Sequence, residues 1–116
     1  MRRLLATTLL VSLAGCLHAR GPVIHTPKCY SIDTIRWRAS EGDMRLLLQL
    51  DQYIVHTVDV LDDYYADGGQ QRLALKDADY GKLIEVVRLQ CAAHPYDTVF
   101  LATVSTYEAL RAAMGL

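Results

Sequence analysis

The chain is short of most things that announce an activity. It has one Trp, one Phe, three Pro and three Cys in 116 residues. That length holds one small domain with a modest core, too little for a cleft with a full catalytic apparatus. No apolar run reaches the ~18 residues of a membrane-spanning helix. A net charge of −1 excludes a strongly basic nucleic-acid binder. The only adjacent glycines, Gly68-Gly69, lack a nearby Lys-Ser or Lys-Thr, which excludes a phosphate-cradling loop. No serine sits in a strand-turn-helix elbow, and no acid, base and nucleophile set can be named, so no enzyme and no cofactor are expected. The only Cys or His within four residues of Cys29 or Cys91 are His25, four before Cys29, and His94, three after Cys91, too few for a metal site to be expected. Strand-like alternation and internal repeats are absent.

What is present begins at the N-terminus. Met1-Arg2-Arg3 is a short positive region, and Leu4 to Leu13 is an apolar stretch of ten. This is the pattern of a secretory signal. It closes on Leu13-Ala14-Gly15-Cys16, which resembles the bacterial lipobox closely. That resemblance implies cleavage before Cys16, lipidation of Cys16, and a membrane anchor. Leu17, where Asp would retain an enterobacterial lipoprotein in the inner membrane, implies the outer membrane, facing the periplasm. The expected layout is a signal over 1–15, a lipidated tether over 16–28 holding two of the three prolines, and a helical domain over 29–116. Loss of Arg2 and Arg3 leaves ten basic against thirteen acidic residues, near −3. Anchoring then rests on acyl chains, each buried CH₂ worth about 0.8 kcal/mol, not on a basic patch.

With Cys16 on lipid, Cys29 and Cys91 remain, an even pair in an oxidising compartment. One disulfide is the simple expectation; two buried thiols are the alternative.

The periodicity predicts an all-α fold of three to four helices. Ser31 to Trp37 can form a short turn capped by Ser31. Leu47, Leu50, Ile54, Val58, Leu61 and Tyr65 recur at steps of three and four, giving a long helix from Glu41 to Ala66. Ser40 and Asp43 resemble a capping box at its start, and Gly68-Gly69 stop it. A second helix is expected from Asp79 to Ala93, ended by Pro95 with His94 at its C-terminus. A third starts at Pro95 to Asp97 and carries Phe100, Val104, Tyr107, Leu110 and Met114 on its stripe.

Asp59, Asp62, Asp63 and Asp67 are the sharpest polar cluster. At i,i+4 spacing near a helix C-terminus, like charges repel one another and the dipole. The bland reading is a solvated acidic face. The functional one is a pH-responsive face, disfavoured at neutral pH and relieved on acidification. Seven tyrosines serve either the core or a partner-binding patch.

Cys29-Tyr30-Ser31, the helix through Tyr53-Ile54-Val55, and Leu83 to Pro95 with Cys91 inside it resemble the HdeA/HdeB-type acid-stress chaperones. The resemblance implies a small secreted helical domain with one such disulfide that binds unfolded clients. Gln52 to Asp59, with Val86-Val87 and His94-Pro95, is similar to the Rap/Tai immunity proteins of type VI secretion. That likeness implies a periplasmic protein that blocks a toxin. Both imply a protein partner besides the membrane, and no nucleic acid.

Overall fold

The computed structural model describes residues 27–116. The expected signal, lipidation site Cys16 and most of the tether lie outside the described residues. Four helices follow one another: α1 (Ser31–Ser40), α2 (Arg45–Asp67), α3 (Asp77–Ala93) and α4 (Val99–Ala113). No strand occurs among the described residues; Lys28 and Thr98 make a single antiparallel bridge. The fold is all-α with one disulfide, as the sequence implies.

The first helix is longer than a capped turn, and the second starts later than Glu41. Ser40 closes α1 instead of opening α2: its Oγ donates to the Trp37 carbonyl at 2.6 Å. Gly42, at φ +101°, turns the chain. Asp43 then accepts the Arg45 N–H at 3.3 Å, covering one of the unpaired amides at the start of α2. The expected stripe holds from Leu50 onward: Leu50, Ile54 and Val58 are buried, with Leu61 and Tyr65 packed beside them, whereas Leu47 is half-buried outside this core.

The third element starts two residues before Asp79. The Asp79 carboxylate accepts the Lys76 N–H at 3.2 Å, half of a capping box, and Asp77 and Asp79 both lie in the first turn. It ends at His94, as expected.

Residues 95–97 are a turn, not the first turn of α4. Thr98 is the cap, its Oγ1 accepting the Leu101 N–H at 3.1 Å. The buried side of α4 is Val99, Ala102, Thr103, Thr106, Tyr107 and Arg111, while Phe100 and Met114 are exposed. The stripe read from apolar residues is therefore rotated. Thr103 and Thr106 explain it: each hydroxyl donates four residues back, to the Val99 and Ala102 carbonyls at 2.7 and 2.9 Å. A threonine satisfied in this way buries its methyl like an apolar residue.

The N-terminal segment is zipped to the α3–α4 turn. Cys29 donates to the Asp97 carbonyl at 2.8 Å, Tyr30 to Pro95 at 2.9 Å, and Val99 to Pro27 at 2.8 Å. This brings Cys29 onto the end of α3, where it is bonded to Cys91 with 4.8 Å between Cα atoms. Both sulfurs join the core with Ile32, Leu50, Ile54, Val58, Leu83, Val87, Val99 and Tyr107.

Candidate functional site

The four acidic residues do not form one face. Asp62 is buried, only 6 % exposed, and turns inward. It accepts the Tyr107 hydroxyl at 2.6 Å and the Leu73 N–H at 3.0 Å. Asp59 accepts the Tyr80 hydroxyl at 2.9 Å, and Asp63 pairs with Arg72. Asp67 is exposed at the end of α2. The i,i+4 repulsion is thus met by donors from outside the helix for three of the four.

Asp62 belongs to a network that includes a buried cation. Arg111, 4 % exposed, donates to the Gln71 carbonyl at 2.6 Å and to the Gln70 side chain at 3.2 Å. Its guanidinium stacks on the Tyr65 ring, 3.9 Å from the centroid, and Tyr65 donates to Glu108 at 2.6 Å. Asp62 and Arg111 therefore grip the α2–α3 connection from two helices. No buried side-chain nitrogen or oxygen among the described residues lacks a partner.

The gripped connection forms a wall. Residues 73–76, α3 and α4 enclose a groove of about 650 Å³. Leu73, Leu75, Leu83, Val86, Leu110 and Met114 supply its apolar lining. Lys76, Asp79, Lys82 and Gln90 supply its polar groups. On the α4 side Ser105, Ala109 and Ala113 are small, which leaves the trough open between two helices. Ala74 sits in this wall at φ +51°, a left-handed conformation that costs an alanine roughly 1–2 kcal/mol. A groove of this size, mostly apolar with a few polar groups, has the character of a binding site.

Three hydroxyls are held protonated. Burial first, then donation to Asp59, pushes Tyr80 up to about 12. Burial and donation to Asp62 push Tyr107 up to about 12. Tyr65 moves the same way, chiefly through its bond to Glu108. The folded state thus keeps protons that the unfolded chain releases near the ordinary value of 10.0. The stability these hydroxyls contribute is complete below about pH 10 and is lost as pH rises through about 12. An alkaline titration following tyrosinate absorbance and helicity together should show late-ionising tyrosines that ionise only as the helices melt. Seven tyrosines titrating as one group near pH 10, with the helices intact, would contradict this.

The carboxyl with a clear upward shift is Asp51, raised by partial burial, which the sequence did not single out. A raised carboxyl value means the fold disfavours the charge. Asp51 therefore detracts from stability at neutral pH, and this cost vanishes as pH falls through its raised value.

The sequence reading missed Arg111, Tyr107 as a polar anchor, and the Leu73 wall. One signal was there: Arg111 lies four residues after Tyr107, on the same face of a helix whose stripe was already drawn through Tyr107. An arginine on a core face needs partners, and the nearby acidic run on α2 supplies the hydroxyl-bridged one. His56 and His94 are both exposed. Among the described residues no three His, Cys, Asp or Glu gather as a metal site, and no helix is long and apolar enough to cross a membrane.

No protein-family model, curated protein or solved structure matches this chain.

Proposed function

We propose that the protein is an envelope-anchored periplasmic binding lipoprotein, a stress-responsive, chaperone-like module whose groove takes an apolar segment of an unfolded client. The observation that carries this reading is the apolar groove of about 650 Å³ between α3, α4 and the Leu73–Lys76 wall. An amphipathic segment fits such a trough by laying its apolar side along the helices. One side of this groove is a wall held from within the fold. The wall hangs on the Asp62 carboxylate, which faces Tyr107 and Arg111 from α4, Arg72 from the connection, and Asp59 and Asp63 on its own helix. Its two hydrogen bonds, from the Leu73 amide and the Tyr107 hydroxyl, hold this wall and keep Leu73 and Leu75 along the groove.

Val86 tests the groove because it lines it yet is 48 % exposed and supports no core. Val86→Asp should leave the thermal midpoint within a few degrees, since surface changes move stability by about 0.5 kcal/mol or less. It should weaken binding of a reduced, unfolded client about tenfold or more, the effect of roughly 1.4 kcal/mol. Unchanged protection of the client against aggregation would reject the groove as the site.

A second reading is an inhibitor or immunity protein for a secreted toxin enzyme. The held wall and fully paired network favour it, because a fixed site suits one partner at 1:1 stoichiometry. Protection of many unrelated clients would favour the first reading; tight binding of a single enzyme would favour the second.

The anchor is tested separately. Cys16→Ser should abolish acyl labelling and release the protein from membranes. Labelling that persists in this variant would remove the lipoprotein reading.

A further inference from the structure

We infer that the face carrying Tyr30, Trp37 and Tyr96 rests against the membrane surface, an inference that relies on the lipid-anchor reading above. The chain has a single Trp, and it is 63 % exposed. Tyr30 and Tyr96 are 59 % and 87 % exposed. Exposed apolar residues scattered singly need no explanation. These three are grouped by the fold. Tyr30 caps α1 with helical angles, φ −65° and ψ −16°. Tyr30 and Trp37, seven apart, therefore share one face of the helix. That face is opposite Ile32 and Ile35, which pack into the core. The Tyr30 amide donates to the Pro95 carbonyl at 2.9 Å, so Tyr96 stands beside Tyr30.

The chain outside the described residues joins at this same place. Pro27, three residues before Tyr30, is held by the Val99 amide at 2.8 Å. Ten residues separate Cys16 from Pro27. Even fully extended, that connection spans at most about 40 Å. A bilayer holding Cys16 thus stays within reach of this face and raises its effective concentration there. Indole and phenol rings combine an apolar body with a polar tip and favour the headgroup level of a bilayer. Residues 27–41 carry Lys28, Arg36 and Arg38 against Asp33 and Glu41, a charge of +1. The face therefore opposes neither neutral nor anionic lipid. In this pose the disulfide end lies toward the bilayer, and the Leu73–Lys76 end of the groove, about 25 Å away along α3, opens to the aqueous side.

Trp37 is the only indole, so its fluorescence reports this contact alone. Cys16 is the one cysteine outside the disulfide. The mature chain can therefore be coupled through Cys16 to a maleimide-bearing lipid in phosphatidylethanolamine/phosphatidylglycerol vesicles, whether or not cells acylate it. The expected result is blue-shifted Trp37 emission, quenched more by bromines high on the acyl chains than by bromines near the bilayer centre. The shift should be lost in a Tyr30→Ser, Tyr96→Ser variant with unchanged helicity. Emission identical to that of the uncoupled chain would overturn the inference. Acyl labelling of Cys16 in cells together with unshifted Trp37 emission overturns this face and leaves the anchor standing. Absent labelling overturns the anchor, and with it the membrane as this face's partner in the cell.

Discussion

Reduction of the Cys29–Cys91 disulfide is expected to destabilise the domain by about 4 kcal/mol, because it releases a loop closed over 62 residues. For a domain of this size that lowers the thermal midpoint by roughly 15–30 °C. It is a large share of a total stability of about 5–15 kcal/mol. The bond matters for a second reason. It fixes the short N-terminal segment to the end of α3, and that segment carries α1 into place against α2. A Cys29→Ala, Cys91→Ala variant leaves small apolar groups at two buried positions and separates loop entropy from packing. Thermal unfolding with and without reductant, set beside this variant, measures the effect. A midpoint unmoved by reductant, or free thiols at Cys29 and Cys91 in the unreduced protein, would contradict it.

The second large effect is expected at Asp62. Asp62→Ala should destabilise by about 3–5 kcal/mol, the range for breaking a buried charged network from one side. The Leu73 amide and the Tyr107 hydroxyl lose their acceptor, and the buried Arg111 loses the anion bridged to it through Tyr107. Asp62→Asn keeps the shape and one acceptor oxygen, and should lose about half as much. Urea denaturation gives the magnitudes. Amide exchange at Leu73 locates the damage, since this amide should exchange faster in both variants than Ala102 on α4. Asp63→Ala is the contrast: its partner Arg72 is exposed, and an exposed pair is worth about 0–1 kcal/mol. Equal losses at Asp62 and Asp63 would return the cluster to the solvated face expected from spacing alone.

That contrast marks where sequence reasoning reached its limit. Helical periodicity located α2 because Leu50, Ile54 and Val58 are apolar and face inward with no help from other elements. The cysteine pairing was legible for a similar reason, since the oxidising compartment implied by the leader leaves two thiols few alternatives. The α4 stripe went astray because burial there depends on hydrogen bonds that hydropathy does not see. Thr103 and Thr106 are polar in composition and apolar in effect, whereas Phe100 and Met114 are apolar and exposed. The acidic cluster went astray the same way. Four aspartates at helical spacing look equivalent until α4 delivers the Tyr107 hydroxyl to one of them. The groove was least legible of all, since its lining comes from three segments and its wall is an irregular stretch that Asp62 and Arg111 hold in place.

The claim that binding occurs in the α3–α4 groove is tested most directly by methyl NMR. An amphipathic model peptide is titrated into the disulfide-bonded protein, with the methyls of Leu73, Leu75, Leu83, Val86 and Leu110 assigned. The account predicts saturable shifts confined to these methyls, abolished by Val86→Asp, while Ile32 and Leu50 stay still. Peptide binding that leaves the groove methyls unmoved, or that moves only Ile32 and Leu50, would contradict it.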